Sequence, residues 1–168
     1  MRAPVETWAD FRPTRLLAEL VGGGVDFVVI GGVAVVAQAS PRFTKDLDIC
    51  YSAEPQNLAA LGAVLVDMGA RLRGVDEDVA FVPDDRTLRQ TQILTLTTPH
   101  GGLDLLVDPA GAPPYPKLRE RADVLEIEGF EVRVACLDDL LAMKYAAGRP
   151  QDRIDIEALE IAKRRRRR

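Results

Sequence analysis

Apolar and polar residues follow two rhythms along the chain, one of helical period and one of strand period. Apolar positions over 14–21 fall on one helix face and end at a run of three glycines, which predicts a short helix. The apolar run 26–30 has the length of a strand and predicts one that is buried on both faces. Residues 46–51 alternate instead, which predicts a half-exposed strand with Asp46 and Asp48 on one face.

The rest of the chain also mixes helices and strands. The glycine pair 31–32 leads into a short helix over 33–39 and a polar loop over 40–45. Glycine-containing turn sequences further along predict two hairpins. The remaining predicted elements are a helix over 55–68, hairpin strands over 92–97 and 103–107, hairpin strands over 124–127 and 130–134, and closing helices over 137–147 and 153–162.

The length of 168 residues and an apolar content of 47% predict one domain with a sizeable core. The order of elements predicts an α/β (α+β) class, in which a mixed sheet is flanked by helices and followed by C-terminal helices. We assign residues 1–135 to the core of this domain. Residues 136–168 are then a helical segment with a basic tail, packed on the core.

The net charge of −4 hides an asymmetry between the body and the tail. Residues 163–168 are all basic, and without these six charges the rest of the chain stands at −10. Clustered arginines can neutralise nucleic-acid phosphates, so one interpretation of the tail is an RNA contact. The other is a solvated helix end, where cations suit the helix dipole. The sequence leaves both open.

Composition also excludes several classes of protein. Cys50 and Cys136 lie far apart in apolar segments, and His100 is the single histidine, so zinc and haem sites are not expected. Two such thiols are typical of a reducing compartment. No apolar run approaches the roughly 18 residues that span a bilayer, and the first ten residues lack a signal-peptide core. We therefore expect a cytoplasmic protein without a membrane partner.

Carboxylates supply the candidate chemistry. Asp46 and Asp48 project from one strand face about 7 Å apart and repel each other unless a cation lies between them. Asp104 is a lone acid within an apolar strand, where a carboxylate is costly unless it is paired or metal-bound. If the two strands are neighbours, the three aspartates can hold two divalent ions of the Mg²⁺ type. Taken alone, however, the aspartate pair is more typical of a solvated strand face.

The glycine pair adds weight to the site interpretation. Gly31-Gly32 stands between a buried strand and a helix start, where backbone N–H groups favour phosphate. Glycines without a Cβ would let the backbone approach a triphosphate closely. Together the elements form an ordered pattern of buried strand, glycine pair, short helix, basic loop and Asp-x-Asp strand. This pattern indicates a functional site far more specifically than the glycine pair or the aspartate pair alone.

This pattern resembles the polymerase-β-like nucleotidyltransferase superfamily. Gly31-Gly32, thirteen further residues, and Asp46-Leu47-Asp48 match its signature, and Asp104 matches its third carboxylate. The resemblance covers residues 13–108. It implies the minimal nucleotidyltransferase fold, with NTP as substrate and Mg²⁺ as cofactor, two ions being expected and Mn²⁺ the alternative.

Within that superfamily the chain is similar to the AbiEii-type toxins. Arg42-Phe43-Thr44-Lys45 before the aspartate pair follows their Arg-x-Thr-x pattern. Lys144 matches their C-terminal helix lysine, and Asp152 and Asp155 match two later acids, although Gln151 replaces a lysine there.

The resemblance implies roles for these residues. The expected catalytic residues are Asp46, Asp48, Asp104, Lys144 and Asp152, the first three as metal ligands. The expected nucleotide-binding residues are Gly31, Gly32, Arg42, Lys45 and Lys144. Purely structural roles for these residues stay open. The 40–45 loop can be a solvated connection that binds no nucleotide. Lys144 can extend its head to solvent, and Asp152 can cap a helix.

The predicted function is NMP transfer from an NTP to tRNA or protein, as the toxin of a toxin–antitoxin pair. RNA held by the tail and a cognate antitoxin are the expected partners. Two alternatives are nucleotide transfer to an aminoglycoside or lincosamide antibiotic and a non-catalytic nucleotide-binding member.

Overall fold

The computed structural model describes residues 11–75 and 81–168. Helices and strands alternate through most of this part of the chain. In order they are α1 Pro13–Gly22, β1 Phe27–Ile30, α2 Gly31–Gln38, β2 Asp46–Tyr51, α3 Pro55–Asp67, β3 Arg71–Leu72, α4 Asp85–Gln90, β4 Ile93–Thr98, β5 Gly101–Leu106, α5 Tyr115–Arg121, β6 Asp123–Ile127, β7 Phe130–Val134, α6 Leu137–Ala147 and α7 Pro150–Arg166.

The strands form one mixed sheet in the order β3-β4-β5-β2-β1-β7-β6. The four-residue strand β1 is buried along its whole length, and it pairs antiparallel with β2 and parallel with β7. The two predicted hairpins are confirmed as β4–β5 and β6–β7. The predicted class, a mixed sheet flanked by helices, is therefore correct.

The pairing of β2 with β5 determines where the acidic residues lie. These strands run parallel, with Asp48 opposite Asp104 and Asp46 opposite Gly102. Leu47 and Leu103 are fully buried on the other face. Since side chains alternate along a strand, burying the leucines leaves the three aspartates together on the opposite face.

The two C-terminal helices pack against α2, and their apolar side chains join the same hydrophobic core. Gly148 ends α6 in the left-handed conformation, with a φ of 62°, and Pro150 opens α7 almost immediately. Helix α7 is longer than predicted at both ends. Pro150 and a cap at Arg149 start it early, and the basic run continues it because arginine and lysine are good helix formers whose charge suits a helix C-terminus.

Three short elements were not predicted. Strand β3 has two residues, α4 has six and α5 has seven, all too short to show a period. None of the helices among residues 11–75 and 81–168 is long and apolar enough to cross a bilayer. The division at residue 135 stays a prediction.

Asn57 ties three elements together at the sheet end remote from the aspartates. Its amide oxygen accepts from the backbone N–H of Asp26 at 2.6 Å, and its nitrogen donates to the carbonyl oxygens of Asp26 and Ser52 at 2.9 and 2.8 Å. Asn57 is buried, with 7% of its surface exposed. It therefore supplies hydrogen-bond partners to the backbone groups of Asp26 and Ser52.

We expect Asn57→Ala to lower the free energy of unfolding by about 2–4 kcal/mol, because it strands several buried polar groups at once. Urea denaturation followed by circular dichroism measures the change. Gln56→Ala, at an exposed position of the same helix, is the control and should change stability by less than about 0.5 kcal/mol. Equal effects of the two substitutions would contradict this role for Asn57.

Candidate active site

Gly31 makes room for Asp48. Helix α2 begins at Gly31 itself, two residues before the predicted start, and Gly31 has a φ of +69°. A Cβ on Gly31 would overlap the Asp48 carboxylate. At Gly32 a Cβ would come within 2.8 Å of the side chains of Arg42 and Thr44. The positions of the Asp48, Arg42 and Thr44 side chains thus favour glycine at 31 and 32, independently of any contact with phosphate.

The three aspartates repel each other across a partly buried face of the sheet. Burial, followed by the charge of Asp104, raises the pKa of Asp48 from 3.8 to about 7, with a smaller contribution from Asp46. Burial also raises the pKa of Asp104, whereas Arg73 opposes that rise. Without a bound cation, burial and the neighbouring negative charges therefore favour the protonated form of Asp48.

Arg73 is a site residue that the sequence did not reveal. Its Nη2 lies 3.3 Å from Oδ1 of Asp46 and 3.2 Å from Oδ1 of Asp104. It follows the two-residue strand β3 in a stretch with no recognisable motif. The position of Arg73 depends on the pairing of strand β3 with strand β4, and no local sequence pattern predicts that pairing.

The site offers hard oxygen donors of the kind that bind Mg²⁺ or Mn²⁺. Among residues 11–75 and 81–168, no group of three Asp, Glu, His or Cys side chains is arranged closely enough to hold a metal ion. Asp46 and Asp104 share the Arg73 guanidinium instead. The donor chemistry and the raised pKa of Asp48 nevertheless fit a divalent cation, because such an ion would relieve the repulsion of the carboxylates.

Lys144, on α6, is buried between two acids of α7. Its Nζ lies 3.2 Å from Oδ1 of Asp152 and 2.9 Å from Oδ2 of Asp155. The Lys144 side chain is only 7% exposed and the two acids 1% each, so its head does not extend to solvent. Two carboxylates offset the cost of burying the ammonium group in its charged form.

Arg42 joins this cluster from the loop that precedes β2. Its Nη2 donates to Asp155 at 3.1 Å, and its Nε lies 2.9 Å from the other carboxylate oxygen without the alignment of a hydrogen bond. An ion pair to α7 therefore holds Arg42, so the loop is more than a solvated connection. The binding of nucleotide by Arg42 stays a prediction, since its guanidinium is paired with Asp155 in this structure.

Asp152 caps the N-terminus of α7 and also pairs with Lys144, whereas its catalytic role stays a prediction. Its carboxylate accepts from the backbone N–H of Arg149 at 2.8 Å and from Nε of Arg149 at 2.9 Å. Burial opposes ionisation of Asp152, but the hydrogen bonds from Arg149 and Lys144 outweigh it and lower the pKa to about 2. Asp152 therefore stays charged and keeps Lys144 in place.

A cavity of about 480 Å³ is lined by residues from both the carboxylate site and the Lys144 cluster. Its lining includes Gly31 and the charged residues Asp48, Asp104, Asp108, Lys144 and Arg149. The apolar part of the lining includes Ile93, Leu106, Pro109, Leu140, Met143 and Ala147. Of the predicted nucleotide-binding residues, Gly31 and Lys144 line this cavity, whereas Gly32, Arg42 and Lys45 do not.

The basic tail is partly tied to the protein. Lys163 pairs with Asp138 at 2.6 Å, and this hydrogen bond lowers the pKa of Asp138. Arg166 donates to Oε1 of Gln38 at 2.7 Å. The helix-end interpretation fits these contacts, and the RNA interpretation stays a prediction.

We expect Asp48→Asn to stabilise the metal-free protein at pH 8 by about 1–3 kcal/mol, because it removes a charge that is buried and also lies near the charges of Asp104 and Asp46. Below about pH 4 the carboxyl is protonated in the folded and unfolded chain alike and carries no penalty. Above about pH 7 it is charged in both, and the fold bears the full penalty. The gain should therefore shrink as pH falls from 8 to 5.

Urea unfolding in EDTA at both pH values measures this effect. Asp67→Asn, at an exposed position on α3, is the control and should show no such pH-dependent gain. A less stable Asp48→Asn protein at pH 8 would contradict the repulsion described here.

Comparisons with known proteins identify the family and the fold. The sequence profile of the family described as nucleotidyl transferase AbiEii toxin, type IV TA system, matches residues 15–160. The curated proteins contain no match to the chain.

Solved structures share the fold at low identity. The lincomycin-bound lincosamide antibiotic adenylyltransferase LnuA is 15% identical with a TM-score of 0.62, over 90% of this chain and 98% of that one. ANT(2'')-Ia in complex with adenylyl-2''-tobramycin is 16% identical with a TM-score of 0.54, over 88% and 84% of the two chains. Since the family profile spans most of the chain, the protein belongs to the AbiEii nucleotidyltransferase family.

Proposed function

We propose that the protein transfers an NMP from an NTP to an RNA acceptor, with Mg²⁺ held by Asp46, Asp48 and Asp104. The observation that carries this proposal is the cavity whose lining includes Asp48, Asp104 and the buried Lys144. Such a cavity offers both negative charge for a cation and positive charge for a phosphate.

The three aspartates would hold the metal, two ions being expected and Mn²⁺ the alternative. When bound, the metal supplies charge neutralisation for the triphosphate and activates the attacking oxygen. Lys144, oriented by Asp152 and Asp155, would contact a phosphate oxygen as a compact charge. The N-terminus of α2 at Gly31 adds backbone N–H groups that favour phosphate.

The acceptor hydroxyl loses its proton during the transfer. Its oxygen forms the bond to the α-phosphorus, pyrophosphate leaves, and the proton passes to a carboxylate. Asp104 is our candidate base, because it lines the cavity and burial raises its pKa. A raised pKa makes a carboxylate a stronger proton acceptor.

Phe43 favours RNA over protein as the acceptor. Its side chain is 78% exposed in the loop that leads into β2. The loop is held by Arg42, which donates to the Phe43 carbonyl at 2.7 Å and pairs with Asp155. An exposed aromatic ring on a fixed loop beside basic side chains is suited to stacking on an unpaired base. The arginines at the end of α7 could contact the RNA backbone.

The role as toxin of a toxin–antitoxin pair rests on the family, and a cognate antitoxin is then an expected partner. The alternative acceptor is a small drug, since the two solved structures above carry lincomycin and an adenylylated tobramycin. A non-catalytic member is the remaining alternative, and the presence of all three carboxylates argues against it.

We expect wild-type protein with labelled NTP and Mg²⁺ to label tRNA or other RNA, and Asp104→Asn to lower this activity at least about 100-fold. Parallel reactions offer total RNA, total protein, aminoglycosides and lincosamides. Asp67→Asn is the control and should keep full activity. Label on a drug alone would refute the RNA acceptor, and no labelling of any acceptor would refute transfer.

We expect Phe43→Ala to lower kcat/KM for the RNA acceptor by roughly 5- to 150-fold, because loss of one stacked base costs about 1–3 kcal/mol. NTP affinity should stay unchanged, since Phe43 does not line the cavity. Filter binding and single-turnover labelling separate the two effects. Val66→Ala, at another exposed apolar position, is the control, and an equal loss in both variants would contradict stacking.

A further inference from the structure

Arg73 occupies the space between two of the three carboxylates. Its Nη2 contacts Asp46 Oδ1 at 3.3 Å and Asp104 Oδ1 at 3.2 Å, and it also donates to the carbonyl of Leu96 at 3.0 Å. The Arg73 side chain is 34% exposed. Its backbone N–H donates to the carbonyl of Thr95 at 2.9 Å, which holds the residue beside β4.

The sheet is shaped to admit this contact. Gly102 lies opposite Asp46 in the β2–β5 register. A Cβ on Gly102 would overlap both the Asp46 carboxylate and the Arg73 guanidinium. The Arg73–Asp46 ion pair therefore depends on the absence of a side chain at Gly102. The position of the Asp48 carboxylate depends in the same way on Gly31.

A divalent cation and Arg73 would compete for the same oxygens. Two positive centres about 4 Å apart repel by about 1 kcal/mol in water and more in a protein, which corresponds to at least a fivefold change in affinity. We propose that Arg73 is a positioning residue that neutralises Asp46 and Asp104 before the metal arrives and weakens metal binding until it moves away. This inference rests on the proposed metal site.

Titration with Mn²⁺ alone, followed by electron paramagnetic resonance of the free ion, tests the proposal. We expect Arg73→Gln to bind Mn²⁺ at least about fivefold more tightly than wild type, because it loses the competing charge but keeps a polar side chain. Arg73→Lys keeps the charge and should stay near wild type. Arg119→Gln removes one charge from an ion pair with Asp26 at the other end of β1 and is the control for net charge.

A second readout is thermal unfolding. In EDTA, the Arg73→Gln variant should have a lower Tm than wild type, because the carboxylates lose their shared partner. Mn²⁺ added without EDTA should raise the Tm of this variant more than that of wild type. Unchanged or weaker Mn²⁺ binding by Arg73→Gln would overturn the role of Arg73 while leaving the metal site intact. Binding that Asp104→Asn does not weaken would overturn both, since the ion would then lie elsewhere.

Discussion

Repulsion among three carboxylates on two neighbouring strands is the constraint around which this site is arranged. The parallel register of β2 and β5 places Asp48 opposite Asp104, and burial of Leu47 and Leu103 prevents the strands from turning these acids away. The repulsion contributes to the raised pKa of Asp48. The fold thus carries an energetic cost that a bound cation can relieve.

Positive side chains surround this negative centre from two directions. Arg73 reaches it from the edge of the sheet, whereas Lys144, on α6, lines the same cavity as Asp48 and Asp104 and is held by acids of α7. Asp152 and Asp155 are almost fully buried and hold the Lys144 side chain through two ion pairs. The C-terminal helices therefore contribute buried charged groups as well as packing, and the family match extends through most of their length.

Glycines at two positions provide the close approach that these charges require. Gly31 lies against Asp48, and Gly102 lies against Asp46 and Arg73. In both places a side chain would displace a carboxylate. Gly31, at the start of α2, is thus part of the construction of the acidic site, in addition to its proposed contact with phosphate.

The sequence by itself determined the order of the longer strands and helices, the hairpins and the common face of Asp46 and Asp48, because each depends on a local period or turn. It also determined the family, through the spacing of Gly31-Gly32 and the aspartates. Only the tertiary structure decided the ion pairs. Arg42 is 113 residues from Asp155, and Arg73 is 31 residues from Asp104. Ion pairs between residues so far apart in the sequence result from the packing of whole helices and strands, which no local sequence pattern predicts.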